Sequence, residues 1–294
     1  MAALLKSGRT SSGTAVSLKD YCILPSIPSA DEWKRLAAVY VKVYRNRSIK
    51  SVKELQAPIA IGMLRFLGFR DDPSRRADKT RESTMFMRRA ADPFAEGEIR
   101  IAYHAQLNRK KHDLGDANKS AMVMKAFKHI GKGPNDRDQY LKQMEVSNIA
   151  KFLADEYNKS SLCPAHCAHI RVLQVCVVEE EDETNEKAGA RRFCAEEPLP
   201  TDGSVFIKFS NNTGHWEEDH LDESLLRFAD FTYQITNKYL MVTDLQGDNK
   251  GNQFHLTDPV ILCKDILRFG NTNLGEKFME KCIDSTRELM KENG

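Results

Sequence analysis

Long apolar runs are missing from this 294-residue sequence, and no stretch approaches the roughly 18 residues needed to cross a membrane. The start, MAALLKSGRTSSGTAVS, has no extended apolar segment behind basic residues, so it reads as a loose tail rather than a secretory leader. Cysteine is sparse and odd in number. The seven residues Cys22, Cys163, Cys167, Cys176, Cys194, Cys263 and Cys282 are spread unevenly, which argues against a disulfide framework and for a reducing, cytoplasmic compartment. Compositional disorder is absent too: 41% hydrophobic and 29% charged residues make an ordinary globular chain with room for a sizeable core.

The net charge of +2 hides an asymmetry, because residues 1–90 carry 18 Lys and Arg against 8 Asp and Glu, leaving 26 against 34 for the remainder. A basic arm precedes an acidic body. No aromatic-interleaved recognition motif accompanies the basic residues, so nucleic acid is not a favoured partner.

In the arm, Ser29-Ala-Asp-Glu32 is a capping box. Behind it Trp33, Leu36, Ala37, Tyr40, Val43 and Tyr44 recur at helical spacing, predicting a basic amphipathic helix over 31–45. Such a helix either packs on its own body or docks in the groove of a regulatory protein, a calmodulin-like one included. A short helix is expected over 59–69 and a polar linker over 74–84, so residues 1–84 read as a mostly helical extension. The texture then changes. Strands are expected at 99–107, 120–127 (with Lys125 inside an apolar run), 170–178, 192–197 and 205–209, and helices at 136–157, 221–235 and 275–290. Strands first and mixed elements later favour an α+β fold in two lobes, about 85–197 and 198–294.

The chemistry concentrates in YLMVTDLQGDNKGNQFHLTDP, residues 239–259. If Asp244 and Gln246 both lie in an extended segment, their spacing of two puts a carboxylate and an amide oxygen on one face. Two hard oxygens of this kind suit Mg²⁺. Asp258, held in place by Pro259, is a further acid beside them. A metal on phosphates with an acid near a hydroxyl is what phosphoryl transfer requires. Elsewhere, Cys163-Pro-Ala-His166-Cys167-Ala-His169 crowds four candidate metal ligands into seven residues. Because zinc sites draw ligands from separated elements, a purely structural loop is the expectation there, with a relocated zinc as the alternative. Cys194, Cys263 and Cys282 are expected to be small buried residues.

Three strings, Val242-Thr-Asp-Leu-Gln-Gly247, Leu256-Thr-Asp-Pro259 and Phe269-Gly-Asn-Thr-Asn-Leu-Gly275, occur in order. Together they resemble the C-terminal lobe of the alpha-kinases, atypical serine/threonine protein kinases. The resemblance runs upstream to Pro93-Phe-Ala-Glu-Gly97. It implies a two-lobed alpha-kinase fold binding ATP and Mg²⁺ and phosphorylating a Ser or Thr of a protein. Carried over, Asp244 and Gln246 would hold Mg²⁺, Asp258 would be the catalytic acid, and Arg100, Lys125 and Lys208 would meet the nucleotide. Glu197 would lie at the adenine hinge, and Gly270, Asn273 and Gly275 would form a glycine-rich loop. The chain departs from the family at its structural zinc, where Asp230, Thr286, Glu288 and Glu292 stand at the ligand positions. That zinc is therefore expected to be absent, replaced by apolar packing between the helices at 221–235 and 275–290. The alternatives are a catalytically weak, nucleotide-binding pseudokinase and an adaptor for acidic partners or RNA.

Overall fold

The computed structural model describes residues 16–17, 27–55, 80–97, 99–128, 137–180, 190–199 and 205–292. The expected helix at 59–69 lies outside them, as does most of the acidic run Glu179 to Glu186, which the sequence marks as a solvated loop. Among the described residues, a seven-stranded sheet, a five-stranded sheet, a two-stranded pair and three substantial helices make up the body. The larger sheet has the order β3-β2-β8-β9-β6-β5-β4, and an additional β3 to β5 pairing closes it into a barrel. Its strands are β2 (Val39–Asn46), β3 (Thr80–Arg89), β4 (Ala95–Glu96), β5 (Arg100–Asn108), β6 (Ala121–Phe127), β8 (Cys176–Glu180) and β9 (Arg191–Glu196).

Period-two alternation builds both faces of this barrel. Val41, Val43, Met124, Cys176, Val178, Phe193 and Ala195 fill its inside. Tyr44, Val177 and Cys194 point the other way and meet Tyr140 and Met144. Those two belong to α3 (Arg137–Lys159), the helix expected at 136–157, which follows the single-turn α2 (Ala117–Ser120).

The helix expected over 31–45 is corrected. The capping box is real, with Ser29 Oγ accepting from the Glu32 backbone, but α1 (Ala30–Arg35) ends where Leu36 turns extended. Residues 39–46 become β2, paired to β3 on one side and β8 on the other. The β-branched Val41 and Val43 are buried at alternate positions with Val39 partly buried in line with them, and that burial outweighs the helical spacing of the segment. A regulatory partner on a 31–45 helix is withdrawn with the helix, since Val41, Val43 and Tyr44 are core residues. The linker expected at 74–84 is corrected likewise where the structure describes it, because position 84 falls inside β3. The single strand expected at 170–178 is two: β7 (His169–Val172) and β8, which belong to different sheets.

The second sheet has the order β1-β10-β12-β13-β7, from β1 (Val16–Ser17), β10 (Val205–Lys208), β12 (Gln246–Lys250), β13 (Gln253–Leu256) and β7. A two-stranded pair, β11 (Leu240–Thr243) with β14 (Val260–Cys263), lies apart from it. In the β12–β13 hairpin Gly247 has φ +153°, and a Cβ built there would lie 1.9 Å from the His255 carbonyl oxygen. No side chain fits against backbone at that distance.

Helices α4 (Glu223–Ile235) and α5 (Glu276–Glu292) pack on each other and against the β11–β14 pair, with α4 also meeting β7. Leu225, Phe228, Met279, Cys282 and Ile283 are buried in one core, with Leu274, Phe278, Leu289 and Met290 partly buried against it. Ile235, expected in the same stripe, is 41% exposed instead. At the positions matching the family's zinc ligands, Asp230 Oδ1 accepts from Arg287 Nε at 2.8 Å, and Thr286 Oγ1 accepts from the Trp216 indole at 3.3 Å. Among the described residues, no helix is long and apolar enough to span a membrane.

Two stability predictions follow from this packing. Ile283→Ala should cost about 2 to 5 kcal/mol, as cavity creation does in a closed core, whereas Arg287→Ala should cost roughly 1 kcal/mol, because the arginine is half exposed. Urea denaturation of both variants checks the order, and the reverse order would make the ion pair the main tie. Gly247→Ala should destabilise by more than about 2 kcal/mol through backbone overlap; a thermal scan within a degree of wild type would contradict the close approach.

Candidate active site

Two kinks in the backbone bring the acids to one place. Strand β11 ends at Thr243 and Asp244 takes φ +56°; Asp258, after β13, takes φ +52°. Non-glycine residues seldom hold this left-handed conformation, and where it persists the surroundings must enforce it. The extended arrangement expected for residues 244–246 is therefore corrected: Asp244 is a turn between β11 and β12. The two side chains still meet, with Gln246 Nε2 3.5 Å from Asp244 Oδ2 and 3.3 Å from the Asp258 carbonyl oxygen.

Barrel strands deliver the cations. Arg100 opens β5 and Lys125 lies near the end of β6, with Ala102 opposite Lys125 and Phe127 opposite Arg100. Arg100 Nη1 reaches Asp258 Oδ1 at 2.9 Å, and Lys125 Nζ reaches Asp258 Oδ2 at 2.8 Å, so one carboxylate is held by two cations. Lys125 also donates to Thr257 Oγ1 at 2.9 Å and pairs closely with Glu196. Thr257 Oγ1 in turn donates to Glu196 Oε1 at 2.6 Å. From β10, Lys208 Nζ contacts Asp244 Oδ1 at 2.8 Å while half its side chain stays in solvent.

These contacts set the protonation states. Burial works against the Asp258 charge, but Arg100 and Lys125 outweigh it and hold its pKa below the usual carboxylate range. Burial likewise opposes the Lys125 charge, and Asp258 and Glu196 overcome it, leaving Lys125 more basic than an ordinary lysine. Asp244 moves the other way: burial raises its pKa and Lys208 only partly offsets this. Glu196 is also pushed up by burial, with Asp258 adding to the rise and Lys125 opposing it. The depressed Asp258 is a carboxylate throughout neutral pH and a weak base while both cations hold it.

The donor set fits a hard divalent cation. Asp244 Oδ1 and Asp258 Oδ1 are buried and approached by cations, yet neither accepts a directional hydrogen bond. Gln246 presents its amide nitrogen to Asp244 and to the Asp258 carbonyl, and its oxygen would join this Mg²⁺-binding donor set once the amide is turned over.

Other expected site residues stand elsewhere. Glu197 is largely exposed and pairs with Arg171; its neighbour Glu196, not anticipated, is the glutamate in contact with Lys125. Strand alternation carries the signal, because Cys194 lies opposite Lys125 and Glu196 is two residues on, on the same face. Asn273, expected among the nucleotide contacts, is buried within its own loop. Its Oδ1 accepts from the Cys263 and Gly275 backbones at 2.9 and 3.0 Å, and its Nδ2 donates to the Asp265 and Arg268 carbonyls at 2.9 Å each. All its hydrogen-bonding capacity goes into holding the 265–275 loop together. Gly270 (φ +83°) and Gly275 (φ +82°) shape the same loop, and the Gly275 N–H donates to Asn273 Oδ1.

The profile of the Alpha-kinase family matches residues 95–287. Among curated proteins, the chain is 35% identical over 193 residues to myosin heavy chain kinase B of Dictyostelium discoideum, covering 66% of this chain and 23% of that protein. It is 27% identical over 199 residues to human eukaryotic elongation factor 2 kinase, covering 67% of this chain and 25% of that protein. The chain thus spans about a quarter of the length of these relatives. Among solved structures, an alpha-kinase from Entamoeba histolytica aligns with a TM-score of 0.62 at 20% identity, covering 91% of this chain and 93% of that one. The alpha-kinase domain of myosin-II heavy chain kinase A in complex with AMP-PNP aligns with a TM-score of 0.61 at 19% identity, covering 85% and 92%. The fold, the order of the motifs and the matched profile agree, and the chain belongs to the alpha-kinase family.

Proposed function

We propose that this chain is an ATP-dependent protein kinase that transfers the γ-phosphate to a Ser or Thr hydroxyl of a protein substrate. The observation that carries the reading is Asp258 held between Arg100 and Lys125, with Lys208 on Asp244 beside it. Three cations and two acids in a partly buried cleft are the charges that bind a triphosphate and orient an acceptor.

In this reading Asp244 and Gln246 would hold Mg²⁺, which when bound would neutralise charge on the phosphates. Arg100, Lys125 and Lys208 turn from carboxylates to phosphate oxygens, a stronger claim on them than a single carboxylate makes. Asp258 then loses part of the field that depresses its pKa and becomes a better acceptor. It hydrogen-bonds the incoming hydroxyl, whose oxygen forms the new bond to the γ-phosphorus as the bond to the ADP oxygen breaks. The hydroxyl proton passes to Asp258. Glu196 and Thr257 keep the Lys125 ammonium aimed at the cleft and make no contact with the reacting atoms. A cytoplasmic location and a protein partner carrying the Ser or Thr are part of the same proposal, and the match to kinases of myosin heavy chain and of an elongation factor supports that substrate class. Packing of α4 on α5, with the Asp230–Arg287 pair, stands in for the zinc at the family position.

Asp258→Asn should lower phosphate incorporation into a protein pool by at least about 100-fold, with ATP affinity unchanged or tighter because Arg100 and Lys125 lose a competitor. Lys125→Met should weaken ATP binding by roughly 1.5 to 3 kcal/mol, the range for hydrogen bonds to charged groups. Incorporation on Ser and Thr by wild type also separates this reading from a nucleotide-binding pseudokinase. Equal incorporation by wild type and Asp258→Asn would overturn the assignment of Asp258.

A further inference from the structure

The turn between α3 and β7 contains Cys163, His166 and Cys167, all on one short loop, which by itself cannot surround a metal. The fold brings in a second element. Glu223, the first residue of α4, places Oε2 3.2 Å from His166 Nε2. One ligand atom each from His166, Cys167 and Glu223 all lie within 4.8 Å of one another. Ligand atoms around a tetrahedral zinc are roughly 3.5 Å apart, given its bond lengths, so small rotations of the exposed His166 and Glu223 side chains close the gap.

The backbone of this site is held on both sides. Cys163 N–H donates to Ser160 O at 3.1 Å and Cys167 N–H to Pro164 O at 2.9 Å, making two successive turns, while Ala168 N–H donates to Ser224 Oγ at 2.9 Å and pins the loop to α4. Arg227 engages the other Glu223 oxygen, Oε1, which orients the carboxylate and leaves Oε2 facing His166. Such an outer partner is typical of a ligating carboxylate. Cys167 is buried whereas His166 and Glu223 are exposed, so an ion has a route in from solvent and a side left for a fourth ligand.

We propose that Cys167, His166 and Glu223 form a binding site for Zn²⁺ that clamps the loop after α3 to the first turn of α4. The donor set selects this class of metal. A thiolate and an imidazole suit a borderline-soft divalent ion rather than Mg²⁺ or Ca²⁺, and one thiolate plus one carboxylate balance two positive charges. The fourth position is left to solvent, so Cys167 is the one thiolate of the site. The site is separate from the cleft at Asp258 and independent of the kinase reading.

The test uses the full chain, stripped with a chelator and titrated with Co²⁺ in excess Mg²⁺, reading the thiolate-to-cobalt charge-transfer absorption. Oxygen-only sites such as Asp244 with Gln246 give no such band. One equivalent of Co²⁺ should produce it, Zn²⁺ should displace the Co²⁺, and the melting temperature should rise with either metal. His166→Ala and Glu223→Gln, both at exposed positions, should each weaken Co²⁺ binding by at least roughly 10-fold, since even outer partners of metal ligands cost that much. Cys167→Ser should abolish the band. Absence of the band in wild type, or Co²⁺ affinity unchanged in His166→Ala and Glu223→Gln, would overturn the proposal even if Cys167→Ser fails to fold.

Discussion

Buried charge at the junction of barrel and second sheet is the constraint on which the rest of the structure depends. Arg100, Lys125, Glu196 and Asp258 all carry or can carry charge away from bulk water, where an unpaired ion costs several kcal/mol. The fold meets that cost by mutual pairing. Asp258 takes two cations, Lys125 takes two carboxylates, and Thr257 bridges the glutamate to the lysine. Removing one member leaves another buried and uncompensated, so the cluster is coupled, and each part is as much a structural element as a chemical one.

Placement of those charges explains several features that look unrelated. The barrel closes through β3 so that β5 and β6 present Arg100 and Lys125 at adjoining strand ends. Asp244 and Asp258 occupy left-handed turns because a regular strand would point them along a sheet face rather than across the junction. Gly247 lets the hairpin carrying both acids fold tightly enough that no Cβ fits beneath it. Below, α4 and α5 supply the apolar floor that holds β11 and β14 in place.

Much of this was legible in the sequence because short strings fixed by backbone geometry carry it. Asp244, Gln246 and Asp258 stand out by spacing, and Lys125 by being a lysine inside an apolar strand. What could not be read depended on partners distant in the chain. Glu196 looks like one of two consecutive surface glutamates until β9 pairs with β6 and its side chain proves to share a face with Cys194, opposite Lys125. Asn273 resembles a ligand-facing amide, yet four backbone groups claim it. Residues 39–46 satisfy helical and strand spacing at once, and only pairing on two edges decides for the strand. Cys167 with His166 gains a second-element partner only when α4 delivers Glu223.

The central claim is that Arg100 and Lys125 hold Asp258 until nucleotide draws them away, and the Asp258 carboxyl itself reports this. An NMR titration of its side-chain carbon, run on the free protein and again with Mg²⁺ and a non-hydrolysable ATP analogue, measures the change directly. The account predicts a pKa below the ordinary carboxylate range in the free protein and a clear rise when the analogue binds. An Asp258 pKa that stays put or falls further on nucleotide binding would contradict it.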